Sequence, residues 1–451
     1  MTDISAAAIP VPKRVSGSIL VTNDNMRRRN AAESRFKAYG IAAIVLSLAT
    51  LAVMLWSIFS DGISSFSQAK LTFPVTLTAD LLDPKGARNP ADMNKITTVT
   101  YGKVVNTSFA AELTARGIAV EGVNAKDISA LLSKDAPAQL RDMVLANPAL
   151  LGTTIPMTVL ASGRIDGYIK GRVTAESAIS DSNISPEQLQ LADQMRSAGM
   201  LASGFNLGFL TNPDASDQRP EAAGLGVAMI GTAYMMLMVL VMTLPVGVAT
   251  SIYLEEFAPK NVWTDLIEVN ISNLAAVPSI VFGILGLAIF INFAGFPQSS
   301  SLVGALVLSL MTLPTIIIAT RASLKAVPPS IRDAALGVGA SKMQTVFHHV
   351  LPLAMPGILT GTILGLASAL GETAPLLLIG MVAFVDNYPS APVEGFLDPA
   401  TALPVQVYGW AQRADPAFIE RSAGAIIVLL GFLVIMNVGA ILLRRRFERR
   451  W

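Results

Sequence analysis

Five polar or charged residues lie inside or beside long apolar runs, where such side chains are uncommon. They are Glu372, Arg321, Asn273, Ser279 and Thr373. A carboxylate surrounded by hydrocarbon is costly unless it faces a water-filled cavity or a partner group. Glu372 therefore predicts one of two things: a gate or ion pair on a path for an ion, or a hydrogen bond that packs two helices together.

The other four residues also leave two interpretations open. Arg321 ends an apolar run of about 19 residues, which is about 28 Å of helix, so it either marks the inner membrane surface or contacts an anion in transit. Asn273 and Ser279 either line a cavity or join helices by hydrogen bonds, as polar residues do in membranes. The acidic pair Glu255 and Glu256 favours a solvated loop end over the alternative, a regulatory contact.

A polar segment from Ile331 to Pro352 separates two apolar runs and reads IRDAALGVGASKMQTVFHHVLP. Apolar residues recur at helical spacing in both halves, at 331, 334, 335 and 338 and again at 343, 346, 347 and 350. Ser330 with Asp333, and Ser341 with Gln344, fit the capping-box pattern. We predict two short amphipathic helices, covered by the membrane surface, by the chain's own helix ends or by a separate soluble protein.

The composition indicates an integral membrane protein, because 52% of the 451 residues are hydrophobic and only 14% are charged. A formal net charge of +1 argues against nucleic acid as a partner. The chain has no cysteine and two histidines, which excludes disulfides and thiolate chemistry and leaves little material for a histidine metal site.

Apolar runs long enough to cross a bilayer must position these residues. We predict six spans, at 38–59, 227–254, 273–293, 302–320, 353–385 and 424–443. The predicted organisation is an N-terminal tail (1–37), a first transmembrane helix (38–59), an inserted domain (60–223), a transmembrane domain (224–445) with a polar loop (324–350), and a C-terminal tail (446–451).

The inserted domain, residues 60–223, has frequent charges and turn signals and is expected to be a mixed α/β domain. Residues 97–105, TTVTYGKVV, alternate like a strand, whereas 126–146 have helical spacing. Basic residues cluster before the first span and after the last one, and the loop 386–420 is mostly acidic. By the positive-inside rule, both termini are predicted to be cytoplasmic and the inserted domain extracytoplasmic.

Several separated motifs resemble those of one family of membrane proteins. Asp333-Ala334-Ala335 with Gly339 and Leu351-Pro352 resembles the EAA loop of ABC-importer permeases, with Asp in place of the usual Glu and His349 in place of the usual Ile. Further motifs are similar to those of phosphate transport permeases of the PstA type: SIYLEEFA (251–258), NLAAVPSIVFGILGL (273–287), LPLAMPGILTG (351–361) and ALGETAPLLLIG (369–380). The resemblance covers 224–445 and not 61–223, and Ser368 stands where many relatives carry Arg.

The resemblance implies a mainly α, polytopic protein of the bacterial inner membrane, with six transmembrane helices in the type I ABC-importer permease fold. It implies a permease subunit for inorganic phosphate, whose 331–347 helices contact an ATPase through Asp333, Ala334, Ala335, Gly339 and Phe347. The implied partners are a sister permease of the PstC type, a dimer of ATP-binding subunits and an extracytoplasmic phosphate-binding protein, in addition to the lipid bilayer.

The chain contains no GxxxxGK[ST] phosphate loop, so we expect it to be no enzyme and to bind no cofactor, with ATP and Mg on the partner ATPase subunits. One alternative in the same class is a permease for another oxyanion, sulfate or molybdate. Alternatives from other classes are an ion-coupled secondary transporter and a membrane-anchored sensor. We see neither the inverted repeat of the former nor a cytoplasmic signalling domain for the latter.

Overall fold

The computed structural model describes residues 24–83, 86, 88, 93–381 and 384–447. Parts of the predicted tails 1–37 and 446–451, and residues 382 and 383 of the predicted fifth span, therefore lie outside the described residues. The chain forms two units, Met1–Ser57 and Ile58–Trp451. Helix α1 (Asp24–Gly62) begins in the first unit and is long and apolar enough to cross a membrane.

The described residues of the inserted domain form three strands and several short helices. Its strands are β1 (Ser67–Thr76), β2 (Thr154–Leu160) and β3 (Leu201–Phe205), in an antiparallel sheet of order β2-β1-β3. Its helices are α2 (Ala79–Leu82), α3 (Thr98–Ala115), α4 (Ala125–Ser129), α5 (Ala136–Ala146), α6 (Gly163–Ile169), α7 (Ala175–Ser180), α8 (Pro186–Ser197) and α9 (Leu207–Thr211). The mixed α/β character predicted for this domain is confirmed.

Strand β1 shows why this sheet buries only one face. Leu71, Phe73 and Val75 are fully buried, whereas Thr72 between the first two and Thr76 after the last are exposed, as the two-residue period of a strand requires. The buried face packs on helix α3, and the rings of Phe73 and Phe109 lie 4.9 Å apart. The domain therefore has a hydrophobic core of its own.

The predicted strand at 97–105 is wrong, because these residues form the first half of helix α3. Their β-branched side chains favour a strand locally. The buried side chains of the helix, however, continue at helical spacing beyond the window, at 101, 104, 105, 109 and 113. Residues 126–146, predicted as one helical segment, form α4 and α5 with a break between Ser129 and Ala136.

The membrane bundle follows, and its helices are interrupted by three π-helical turns. The elements are α10 (Gly226–Ile252) with a π turn (Tyr253–Phe257), α11 (Val262–Ala275), α12 (Ser279–Gly286) with a π turn (Leu287–Phe293), α13 (Ser301–Lys325), α14 (Pro329–Gly337), α15 (Lys342–Gln344), a π turn (Thr345–Val350), α16 (Leu351–Gly371), α17 (Ala374–Leu378), α18 (Leu403–Ala411) and α19 (Pro416–Phe447).

Five helical stretches of the described chain are long and apolar enough to cross a membrane, and the α11–α12 pair, bent by 101°, makes six if it counts as one span. The predicted polytopic α-helical class is confirmed. Two predicted spans are interrupted within their length. The third, 273–293, contains the bend just before Pro278, whose ring restricts the preceding residue. The fifth, 353–385, stops being one helix at Gly371.

Helices α13 and α16 approach each other closely through a row of glycines that the sequence analysis did not identify. Gly357, Gly361 and Gly365 recur every four residues on one side of α16. A Cβ atom built on Gly361 would lie 2.2 Å from the Cβ atom of Ala319 on α13. Small residues at this spacing allow membrane helices to pack backbone against backbone.

Buried charges join the inserted domain to the start of α19. Lys170 Nζ lies 2.7 Å from the Asp166 carboxylate and 2.9 Å from that of Glu420, and Arg172 also contacts Glu420. The neighbouring Arg421 donates to the carbonyl oxygens of Glu221 and Ala223 at 2.9 and 3.1 Å. We call Asp166, Lys170, Arg172, Glu420 and Arg421 the junction cluster.

A second group of hydrogen bonds attaches the inserted domain to the same end of the bundle. The buried carboxylate of Asp214, which lies between the domain and α10, accepts hydrogen bonds from Trp410 at 2.8 Å and from Arg413 at 2.6 Å. These donors lie in and just after α18. The inserted domain is therefore held at the end of the bundle where α10 and α19 begin.

The junction should make stability depend on pH through Glu221. Burial raises the pKa of this carboxyl above its ordinary value near 4.5, although Ser133 and Arg421 act in the opposite direction. The folded protein therefore holds this proton more tightly than the unfolded chain, and the stability it contributes is lost as pH rises from that ordinary value through the folded pKa.

We expect Glu221→Gln to flatten part of the decline in melting temperature as the pH rises above the ordinary carboxyl pKa near 4.5, by about 2 °C or more. Thermal unfolding of the purified protein at several pH values measures this. The exposed Glu176→Gln serves as the matched control. An identical pH profile for Glu221→Gln and the wild type would contradict the prediction.

Candidate functional site

A cavity of about 250 Å³ lies where broken helices of the bundle meet. The breaks are the bend between α11 and α12 and the end of α16, and the middle of α13 completes the wall. The lining residues are Ala275, Val277, Ser279, Met311, Thr312, Thr315, Gly365, Ser368 and Glu372.

The helix breaks explain why polar groups collect at this cavity. Ser279 is the first residue of α12, after Pro278, and Glu372 is the residue that caps the end of α16. Broken helices are tolerated at membrane depth where protein or a water-filled cavity satisfies the freed backbone groups. The cavity is thus bounded by two helix ends and is suited to hold water.

The hydroxyl groups of the lining are oriented by their own helices. Thr312 donates to the carbonyl oxygen of Leu308 at 2.9 Å, and Ser368 donates to that of Leu364 at 3.1 Å. Their oxygen lone pairs remain available as acceptors. Glu372 is the one ionisable group among the described lining residues, and none of these residues is a cation. This arrangement suits the passage of a hydrated ion better than tight binding of an anion.

The structure brings two of the five predicted pathway residues, Ser279 and Glu372, to this cavity. Thr373 follows Glu372 but is not among the lining residues, and Asn273 lies exposed on α11. The sequence analysis missed Thr312, Thr315 and Ser368 as lining residues. The first two stand three residues apart in a predicted span, so their helical spacing was a usable signal.

Arg321 lies away from the lining and is held by two carboxylates. Its guanidinium lies 2.6 Å from the Glu268 carboxylate of α11 and 3.5 Å from that of Glu255. Lys325 also lies 3.5 Å from Glu255. The prediction that Glu255 and Glu256 form a solvated loop end is wrong, because Glu256 is paired as well, with Arg332 at 2.7 Å.

The polar loop after α13 differs in part from the two capped helices that we predicted. Helix α14 starts after Pro328 without a side-chain cap, so the predicted box of Ser330 and Asp333 is wrong: the helix begins two residues too early for Ser330 to cap it. The box of Ser341 and Gln344 is confirmed, with reciprocal bonds of 2.9 and 3.2 Å.

The second predicted helix is not a separate element. Helix α15 continues through the π turn Thr345–Val350 into the membrane helix α16, and the whole stretch from Lys342 to Gly371 is one candidate span. Its first turns are amphipathic because Val346 and Val350 are buried, whereas Met343 and Phe347 remain exposed.

The loop presents an exposed surface of apolar and acidic side chains. Leu336, Val338, Met343 and Phe347 are 48, 87, 57 and 45% exposed, and Asp333 and Ala334 are exposed beside them. Ala335 is buried, and Gly339 has a φ of +91°, a turn that favours glycine. Val338, expected on a covered face, is instead largely exposed. We call Asp333, Leu336, Val338, Met343 and Phe347 the coupling surface.

The N-terminal and C-terminal parts of the chain match two different protein families. Residues 243–451 match the family described as binding-protein-dependent transport system inner membrane component. Residues 23–179 match a family described as a domain of unknown function. The motifs of the cavity and of the coupling surface all lie in the first of these matches.

Individual relatives of known type also match only part of this chain. The chain is 35% identical over 242 residues to a phosphate transport system permease protein PstA 2 of Mycobacterium bovis, covering 52% of this chain and 76% of that protein. It is 32% identical over 232 residues to PstA 1 of Mycobacterium tuberculosis, covering 51% and 72%. A probable ABC transporter permease YqgI of Bacillus subtilis is 35% identical over 158 residues, which are 35% of this chain and 53% of that protein.

Among solved structures, the chain is similar to one of the MetNI methionine ABC transporter in an inward-facing conformation. The sequence identity is 16%, the match covers 50% of this chain and 95% of that one, and the TM-score is 0.37. The identity and coverage of the PstA relatives, and not this structural likeness, carry the assignment. This chain belongs to the family of phosphate transport system permease proteins of the PstA type, multi-pass components of the inner membrane.

Proposed function

We propose that this chain supplies one half of the membrane pathway of an ATP-driven phosphate importer and receives its movement from ATPase subunits bound to the coupling surface. The observation that carries this proposal is the connection of the two sites. Helices α13 and α16 both line the cavity, and the loop with α14 directly links the end of α13 to the beginning of α16. A displacement of that loop therefore acts on two walls of the cavity.

The proposed orientation has the coupling surface in the cytoplasm and the inserted domain outside. The inserted domain contacts the beginning of α19 through the pair of Lys170 with Glu420, and Arg421 of α19 donates to the Ala223 carbonyl oxygen in the segment before α10. The loop contacts the other end of α10, through Glu256. Near that end, Arg444 of the basic C-terminal stretch donates to Thr360 at 3.3 Å. The basic C-terminal stretch and the coupling surface thus share one end, which supports a cytoplasmic C-terminus.

The cavity suits phosphate in transit because it offers oriented hydroxyl groups and a repelling carboxylate. The hydroxyl groups of Ser279 and Thr315, which also line the cavity, can donate to the anion in place of water, and Glu372 shortens its stay. In this proposal a sister permease of the PstC type completes the pathway, and an extracytoplasmic phosphate-binding protein delivers the ion. ATP and Mg are bound by the ATPase dimer, and this chain performs no catalysis of its own.

Purification of a tagged chain from its native membrane, followed by identification of the accompanying proteins, tests the proposal. We expect a P-loop ATPase and a second permease. Proteoliposomes of that complex, supplied with the phosphate-binding protein and ATP, should accumulate radiolabelled phosphate. Recovery of a homodimer without an ATPase contradicts the proposal, and uptake of sulfate or molybdate in preference to phosphate overturns its choice of substrate.

We expect Glu372→Gln to open a leak for phosphate. A carboxylate about 5 Å from a singly charged anion repels it by about 3 kcal/mol at an effective dielectric constant of about 20, which is a factor of about 100 in occupancy. Removal of this charge should raise phosphate efflux from ATP-free proteoliposomes at least tenfold. Glu394→Gln, an exposed acid of the 386–420 loop, is the matched control. Unchanged efflux together with unchanged ATP-driven uptake would rule out a gate at Glu372.

A further inference from the structure

Arg332 of the coupling helix α14 is tied to two other helices at once. Its Nε and Nη2 atoms donate to Glu256 Oε1 at 3.1 and 2.7 Å. Its Nη1 and Nη2 atoms also donate to the carbonyl oxygens of Val327 and Leu324 at 2.8 and 2.9 Å. One guanidinium therefore connects α14 to the end of α10 and to the end of α13.

The burial and geometry of this contact make it strong. The side chains of Arg332 and Glu256 are only 22% and 9% exposed, and bidentate arginine–carboxylate pairs are among the stronger hydrogen-bonded contacts. The carbonyl groups at the end of a helix lack partners within that helix and carry partial negative charge. Arg332 supplies both a donor and a positive charge to those of α13.

A π turn brings the acidic partners to this point. Glu255 and Glu256 lie on the turn Tyr253–Phe257, in which α10 ends. Glu255 contacts the cations Arg321 and Lys325 of α13, whereas Glu256 contacts Arg332 of α14. The two adjacent carboxylates thus join different helices to α10. Single π turns inside α-helices are frequent at functional sites.

The rest of α14 is attached mainly by apolar packing. Ala335 is its one buried side chain, and Ile331 packs partly buried against a cluster that includes Leu324 and Val346. Asp333, Ala334 and Leu336 are exposed. Because apolar contacts are not directional, the hydrogen bonds of Arg332 fix the direction of α14 relative to α10 and α13.

We propose that Arg332 and Glu256 are positioning residues that transmit movement of the coupling helix to α10, so that ATP hydrolysis and opening of the cavity stay linked. This inference rests on the proposed docking of an ATPase on the coupling surface. It goes beyond that docking because neither residue belongs to the surface itself. Without this pair, the ATPase should still bind and hydrolyse ATP, but the movement of α14 should be transmitted poorly to α10.

The test uses the reconstituted complex of full-length chains and measures phosphate transported per ATP hydrolysed. We expect this ratio to fall at least fivefold in Arg332→Gln and in Glu256→Gln, with normal amounts of co-purified ATPase. The double variant should be no worse than the poorer single variant, because both substitutions break one contact. Arg332→Lys should be intermediate, since a lysine cannot hold Glu256 and both carbonyl oxygens together.

Lys260→Gln is the matched control, because this exposed lysine near the same end of α10 also carries one positive charge. A normal ratio in both single variants overturns the proposal, and so do losses that multiply in the double variant. If Arg332→Gln does not accumulate, a normal ratio in Arg332→Lys overturns it. Failure of the wild-type chain to bind an ATPase is a different outcome. It would contradict the proposed function, and this inference would then lose its basis.

Discussion

Glu420→Ala is expected to lower the free energy of unfolding by roughly 3–5 kcal/mol, the cost of leaving a buried charge without its partner. The Glu420 side chain is 4% exposed and contacts Lys170 and Arg172, which are 6% and 24% exposed. Without Glu420, these two cations keep Asp166 as their acidic partner within the junction cluster. The variant therefore has one negative charge too few for Lys170 and Arg172, at a buried place where water can hardly stabilise these cations.

The melting temperature of the purified protein, together with limited proteolysis of the inserted domain, measures this effect. Asp415→Asn is the matched control: it also removes an acid near the start of α19, but its pair with Arg164 is 3.6 Å long and partly exposed. Such a pair is worth about 1 kcal/mol or less. Equal shifts for Glu420→Ala and Asp415→Asn would contradict the importance of burial at the junction.

The junction cluster also restricts how the inserted domain can move. Any rotation of this domain away from α19 separates Lys170 from Glu420 and Arg421 from the carbonyl oxygens of Glu221 and Ala223. Separating buried charged groups is costly. We therefore expect the domain and the beginning of the last membrane helix to move as one body.

Gly361→Leu is expected to prevent normal packing of the bundle, at a cost of about 3 kcal/mol or more, the upper part of the usual range for overpacking. Even a Cβ atom at this position would lie 2.2 Å from the Cβ atom of Ala319, so α13 and α16 would have to separate. Because both helices line the cavity, phosphate uptake should be lost along with stability.

The yield of monodisperse protein and its phosphate uptake measure this prediction. Gly431→Leu is the matched control, since a Cβ atom at Gly431 in α19 has no neighbour within 4 Å. Gly361→Ala should be impaired less than Gly361→Leu, and adding Ala319→Gly should restore Gly361→Ala by removing the opposing Cβ atom. Normal yield and uptake for Gly361→Leu, or no rescue by Ala319→Gly, would contradict close packing at this point.

The amino-acid sequence by itself determined the features that depend on local composition. Hydropathy predicted the membrane spans, because a bilayer demands long apolar helices and tolerates few charges. The capping box of Ser341 and Gln344 could also be predicted from the sequence, since its partners are three residues apart. The family resemblance pointed to Asp333 and Phe347 of the coupling surface, and the cost of a carboxylate within an apolar run singled out Glu372.

The local sequence pattern gave wrong predictions where contacts in the folded protein determine the secondary structure. Residues 97–105 have strand-like composition, yet the core of the inserted domain selects helix α3, because its buried side chains extend to Leu113. The bend before Pro278 and the end of α16 at Gly371 lie inside runs that hydropathy treats as continuous. Hydropathy measures transfer into lipid and does not register where a helix breaks.

Only the tertiary structure decided which distant residues meet. The cavity joins Ser279, Thr312 and Glu372 from three helices, and Glu256 meets Arg332 across 76 positions of the chain. Lys170 meets Glu420 across 250 positions. A side chain's type states what bonds it can make, but the partner is chosen by how helices pack and by the need to pair every buried charge. For that reason Asp333 and Phe347 of the coupling surface could be predicted from the sequence, whereas the pairing of Arg332 with Glu256 behind that surface could not.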